Sequence, residues 1–182
     1  MATQPLSQAY QQPAPRSRLV RTLTRVGVFF QEYWVHFIAS FFGLICLSAV
    51  SVPVLSYFGL DGLAKPMFFA LHLICGQIPS HSFYLEGHEV GLCVHCLAIY
   101  SAMFASSVIF VLSKKRLAGF PWWLLVLFAL PLAYDGFSQM FGLRESTWEI
   151  RLLTGALFGI GAAWFALPMI HKGLVEMAPT SA

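Results

Sequence analysis

The sequence predicts an all-α integral membrane protein, with four transmembrane helices in a bundle and a short interfacial or re-entrant helix before the second span. Three observations carry this. Of 182 residues, 58% are apolar and 10% charged, against about 25% charged in an ordinary soluble domain, and mean hydropathy is +0.70. So little polar surface cannot coat a soluble globule of this size, which removes a soluble enzyme as the leading class. At about 20 apolar residues per span, the length admits one domain with about four membrane helices. Each apolar stretch, finally, is bounded by a recognisable start or stop.

Met1 to Arg16 is rich in Gln, Pro and Ala without apolar periodicity, which reads as a disordered tail. Arg16, Arg18, Arg21 and Arg25 follow it, and the apolar run from Tyr33 to Phe58 is too long for a signal-peptide core, so it is a first span with a kink expected at Pro53. After Asp61-Gly62, Lys65-Pro66 starts a short apolar helix reaching about Cys75, too short to cross about 30 Å of hydrocarbon. A polar loop, Gln77 to Glu89, leads to a second span from about Leu92 to Leu112, stopped by Lys114-Lys115-Arg116. Pro121 with Trp122-Trp123 opens a third span to about Phe141. Ser146-Thr147-Trp148-Glu149 has capping-box spacing and starts a fourth, ending near Ile170. Within it, Gly155 and Gly159 form a G-x-x-x-G, read as close packing inside the chain rather than a dimer seam.

Lys and Arg divide by side. The N-terminal tail, the loop after the second span and the C-terminus hold eight of the eleven, and the other side holds Lys65, Arg144 and Arg151. The positive-inside rule then puts both termini in the cytoplasm of a bacterial plasma membrane and turns the Cys75 loop outward. The expected organisation is a basic cytoplasmic tail (1–25), one membrane domain (26–171) and a short cytoplasmic tail (172–182). The basic residues are not interleaved with aromatics as a nucleic-acid groove requires, so the partner is the lipid bilayer and not a nucleic acid.

Ionisable side chains within a span cost about 2.5 to 3.5 kcal/mol each on insertion scales, so each needs a partner or a purpose. Asp135 lies about 20 Å along the third span at 1.5 Å per residue, with Gln139 one turn further on the same face. Arg151 falls at a similar depth in the fourth helix, with Thr154 one turn on. Two readings stand. Asp135 and Arg151 form a structural ion pair that fixes helix register, or they belong to a polar pocket with Tyr100, Tyr134, Arg144 and Glu145, because these residues converge on one end of the bundle from three segments.

Cysteine placement points to the same end. Cys93-Val94-His95-Cys96 is a C-x-x-C opening the second span, where a helix N-terminus favours thiolate. Cys75 is a third cysteine at that end, with His81 and His95 near in sequence, while Cys46 reads as a buried apolar filler. Three thiols leave one over if a disulfide forms. A Cys3His site from Cys75, Cys93 and Cys96 with His81 or His95 would use all three and suits zinc or Cu(I). Thiol redox, and a structural disulfide or inert thiols, are the alternatives.

The strings Cys75-Gly76-Gln77, His81-Ser82-Phe83, Cys93-Val94-His95-Cys96 with Ile99-Tyr100, Asp135-Gly136-Phe137-Ser138-Gln139, Arg144-Glu145-Ser146 and Arg151-Leu152-Leu153-Thr154-Gly155 resemble, in order, a family of small prokaryotic membrane proteins. It is the domain of unknown function numbered two-zero-eight-five, and the likeness covers about Leu71 to Pro168. The family's usual pattern reads C-H-Q, R-S-F and C-x-R-C, so Gly76 stands here for a histidine and His81 and His95 for arginines. The resemblance implies membership and no chemistry. More loosely, the four spans and the C-x-x-C followed by Ile and Tyr are similar to the bacterial disulfide-bond oxidoreductases that pass electrons to quinone. Those proteins carry a second cysteine pair in the later outer loop, and Phe141 to Trp148 contains none.

These readings converge on an outward Cys/His metal site beside a charged intramembrane pocket, acting on or transporting a membrane-soluble small molecule. The alternatives are a quinone-linked thiol-disulfide oxidoreductase and a purely structural subunit.

Overall fold

The computed structural model describes residues 18–177; the expected tail up to Arg16 lies outside them. Five helices and one hairpin follow in order: α1 (Arg18–Tyr57), α2 (Asp61–Leu71), β1 (Ser82–Leu85), β2 (His88–Cys93), α3 (Val94–Leu112), α4 (Trp122–Met140) and α5 (Trp148–Met177), with a single 3-10 turn over Pro79–His81. Four stretches are long and apolar enough to cross a membrane: Arg25–Tyr57, Val94–Leu112, Trp122–Met140 and Trp148–Glu176. This is the predicted helical membrane fold, with a minor two-stranded sheet added. The chain divides between Trp34 and Val35, inside α1, and the candidate site lies wholly in Val35–Ala182.

Within that unit α5 packs against both α3 and α4. The α3–α5 contact is made by the predicted small residues. A Cβ built on Gly155 would stand 2.8 Å from the His95 carbonyl oxygen, and one on Gly159 2.5 Å from that of Ile99. The G-x-x-x-G therefore serves packing inside the chain, backbone to backbone. The α4–α5 contact uses Gly161 in the same way, against the Phe128 ring. Large apolar side chains stay exposed around this core, among them Phe41 and Leu47 on α1 and Leu130 and Phe137 on α4. Such a surface is one that lipid, not water, solvates.

The short helix begins four residues earlier than expected. Gly59, at φ 73°, closes α1, and the Leu60 amide returns to the Leu55 carbonyl at 2.9 Å. Asp61 thus falls in the first turn of α2, where its charge suits the helix N-terminus. Pro66 is consequently inside the helix. The expected capping box also does not form. The Ser146 side chain is buried and its hydroxyl donates to the Thr147 carbonyl at 3.4 Å, while that carbonyl accepts from the Arg151 amide at 3.1 Å and so opens α5. At the other end, α5 runs past Ile170 to Met177, its last turns crossed by a Lys172–Glu176 pair.

The larger correction is the expected polar loop, Gln77 to Glu89, most of which is a hairpin. β1 and β2 pair antiparallel with Ser82 opposite Cys93, Tyr84 opposite Glu89 and Leu85 opposite His88, and an irregularity lies between Ser82 and Tyr84. Glu86 and Gly87, at φ 48° and 80°, make the two-residue turn whose twist suits paired strands. Val90 and Leu92 are buried against Ala49 and Val52 of α1 and Leu71 of α2. β2 then passes into α3 with no intervening loop.

Candidate metal centre and adjoining polar cavity

The hairpin and α2 together bring three cysteines to one place. Cys75 follows α2; Cys93 is the last residue of β2 and the residue flanking α3; Cys96 lies in the first turn of α3. Their sulfur atoms all lie within 4.8 Å of one another. Gln77 fixes the first of them. It is buried, with φ at 45°, and its side-chain amide donates to the carbonyls of Phe68 and Gly91, each at 2.8 Å, while its oxygen is 3.1 Å from His72 Nδ1. The turn so held aims two backbone amides at Cys75 Sγ, from Gln77 at 3.4 Å and from Cys93 at 3.3 Å.

A sulfur that accepts several hydrogen bonds is favoured as thiolate. The Cys75 thiol is accordingly held far below its ordinary value, first by the Cys93 and Cys96 thiols and then by those amides, against a contrary push from burial. Cys93 is raised, chiefly by the same contact with Cys75. Three sulfurs around one tetrahedral zinc, with bonds of about 2.3 Å, stand about 3.8 Å apart, and these three all lie within 4.8 Å of one another. Among the described residues no His, Asp or Glu joins the group. Cys46 is elsewhere, 3.5 Å from Ser101 Oγ.

Both histidines expected as the fourth ligand are placed otherwise. His95 Nε2 lies 2.9 Å from Asp135 Oδ2, because on α3 it points to α4 while Cys93 and Cys96 face the α2 loop. His81 lines the polar cavity described below, and its imidazole is depressed below its ordinary value, first by burial and then by the charge of Arg151. Tyr100 belongs to the thiol side and not to the pocket: its hydroxyl donates to the Ile74 carbonyl at 3.2 Å and its ring stacks on Phe42.

Asp135, 1% exposed, organises the second cluster, and its partner is not Arg151. Oδ1 accepts from Arg144, and Oδ2 accepts from Gln139 Nε2 at 2.9 Å. Arg144 wins because the α4–α5 connection folds back over the end of α4, where Ser138 Oγ also takes its Nε at 3.3 Å. Arg151 instead meets Gln139, one turn beyond Asp135, donating to Oε1 at 2.9 Å and to the Ser80 carbonyl at 3.2 Å. Thr154 donates back to the Ile150 carbonyl within α5. Glu145 is exposed on the rim of a cavity of about 550 Å³ that Arg144, Arg151, His81 and Ser146 also line. Sequence reasoning missed Gln77 and the Ser80 carbonyl, whose roles depend on a left-handed turn and a main-chain atom that no pattern of side chains announces.

The family model described as "Predicted membrane protein (DUF2085)" matches residues 75–165. An uncharacterised protein of Methanocaldococcus jannaschii is 31% identical over 150 residues, covering 78% of this chain and 95% of that protein. The chain belongs to the DUF2085 family. A second uncharacterised relative, from Methanothermobacter thermautotrophicus, is 33% identical over 98 residues, covering 54% of this chain and 88% of its own. No solved structure matches. The stretch that matches the DUF2085 model begins at Cys75 and contains all three clustered thiols, Asp135, Arg144 and Arg151, so both clusters lie inside the family's own segment.

Proposed function

We propose that this DUF2085 protein is a metal-binding membrane protein in which Cys75, Cys93 and Cys96 hold one soft ion, zinc or Cu(I), through three thiolates. The observation that carries the reading is the convergence of three sulfurs within 4.8 Å, Cys75 from the turn after α2 and Cys93 with Cys96 from the β2–α3 junction, with two backbone amides already turned to Cys75 Sγ. A structural disulfide needs two cysteines, not a third brought in and hydrogen-bonded beside them. Three thiolates satisfy trigonal Cu(I), and they leave zinc a fourth position for water or an exchanging ligand. The quinone-linked reading lacks a second cysteine pair to pass electrons, since the one remaining cysteine, Cys46, contacts Ser101 away from the cluster.

In the same reading the chain crosses a plasma membrane with both termini cytoplasmic and the thiol site on the outer side. Support comes from the basic residues near the N-terminus, at Lys114, Lys115 and Arg116, and at Lys172. A membrane-soluble molecule would reach the site from the bilayer.

Metal analysis and a thiol count on detergent-extracted protein test this. About one zinc or copper per chain is expected, with Cys75→Ser, Cys93→Ser and Cys96→Ser each losing it. A metal-free protein with a reducible Cys93 to Cys96 disulfide overturns the reading.

A further inference from the structure

Arg151 poses a charge problem that the metal site does not address. Its side chain is 6% exposed, and both groups it donates to, the Ser80 carbonyl and Gln139 Oε1, are neutral. Its Nε is buried without a hydrogen-bond partner among the described residues. The nearby buried acid, Asp135, is already taken by Arg144, His95 and Gln139. A buried cation facing only neutral acceptors is costly unless an anion completes it. Beside it lies the cavity of about 550 Å³, which Arg144, His81 and Ser146 also line. Two guanidinium groups and an imidazole form a donor set matched to the several oxygens of one oxyanion. Arg151 is also the fourth residue of α5, about 5 Å along it, where the helix N-terminus adds its own positive potential.

We propose that this cavity binds a phosphate ester, with its phosphoryl oxygens on Arg151, Arg144 and His81. Among the described residues Glu145 is the single carboxylate lining the cavity, and it decides the rest of the ligand. At the exposed rim it opposes the anion and accepts a hydrogen bond from an amine or hydroxyl on the ester's other end. The cavity is larger than a bare phosphate needs, and α5 starts at a membrane-span boundary, at the level of lipid phosphates. The chemistry is shared by a phospholipid headgroup and a soluble phosphomonoester. This site shares no residue with the thiol cluster.

Binding of inorganic phosphate, glycerol phosphate and dihexanoyl phosphatidylglycerol to the delipidated full chain in detergent, with chloride as control, tests the proposal in protein both with and without metal. All three are expected to bind, and Arg151→Gln to weaken each about tenfold or more, as loss of a charge-assisted hydrogen bond implies. Glu145→Gln should tighten inorganic phosphate about two- to threefold, the size of an exposed charge effect. Phosphatidylglycerol binding well above glycerol phosphate assigns the headgroup as source, and parity assigns the soluble ester. Absence of phosphate binding beyond the chloride control overturns the proposal, as does binding that Arg151→Gln leaves unchanged. Should Arg151→Gln fail to fold, an unchanged phosphate affinity in Glu145→Gln overturns it equally.

Discussion

Gln77 is the residue on which the thiol site turns, although it carries no charge and binds nothing itself. Its amide is satisfied at both ends, tying the close of α2, through Phe68, to strand β2, through Gly91, and its φ of 45° lets the chain reverse after Cys75. Gln77→Ala removes those bonds, takes the side-chain donor from the Gly91 carbonyl, leaves the Phe68 carbonyl only the His72 amide at 3.3 Å, and keeps a left-handed position without compensation. A loss of about 2 to 3 kcal/mol is expected, read as a lowered melting temperature in detergent, together with weakened metal retention. Gln77→Gly should recover only the backbone part. At this scale the sequence was legible for Cys93 and Cys96, whose spacing is local, and misleading for Arg151 and His95. Those two sit at the predicted depth, but which acid each meets depends on how the α4–α5 connection folds back. That is set by tertiary contacts between Arg144, Ser138 and Asp135.

Among the elements, the helices were the readable part, because apolar runs bounded by Lys, Pro and Trp need only local physics to form in a bilayer. The hairpin was hidden by its mixed polarity: His88 and Glu89 carry polar side chains on a strand whose next residues, Val90, Gly91 and Leu92, are buried. The signal was Glu86-Gly87 between two short runs of strand-forming residues. The failed capping box shows the opposite error, since Ser146 has the right spacing but is buried beside the cavity instead of capping α5. The glycines of α5 yield a sharp prediction. Gly159→Ala would bring a methyl against the Ile99 carbonyl and should cost about 1 to 3 kcal/mol. Gly136→Ala, where nothing lies within 4 Å, should be neutral or gain about 0.5 to 1 kcal/mol from helix propensity. Thermal unfolding of both variants in one detergent reads the contrast, and equal effects would contradict the close α3–α5 packing.

For the whole molecule, the scarcity of charge is the organising fact. Lys114, Lys115 and Arg116 follow α3 and Lys172 lies near the end of α5, while Asp135, Arg144 and Arg151 gather with the thiols toward the other end of these helices. Single cysteines introduced at Tyr84 in the hairpin and at Arg116 after α3, in a background whose own cysteines are serine, should separate in intact cells. An impermeant maleimide is expected to label the first and, until the membrane is broken, spare the second. Labelling in the reverse order would invert the assigned orientation. Composition made the membrane class readable at once. The arrangement of the clusters was not readable, because it depends on which helix faces meet.

The hairpin's register also binds the two clusters into one piece of hardware. Across its open end Ser82 pairs with Cys93. One strand leaves that rung toward His81 and Ser80, which form part of the cavity wall, and the other continues straight into Cys96. A slip of one residue would turn every strand side chain to the other face, displacing the thiols and the arginine's carbonyl acceptor together. A misregistered chain is therefore damaged twice by one error, and an assay of either site reports on the alignment of both.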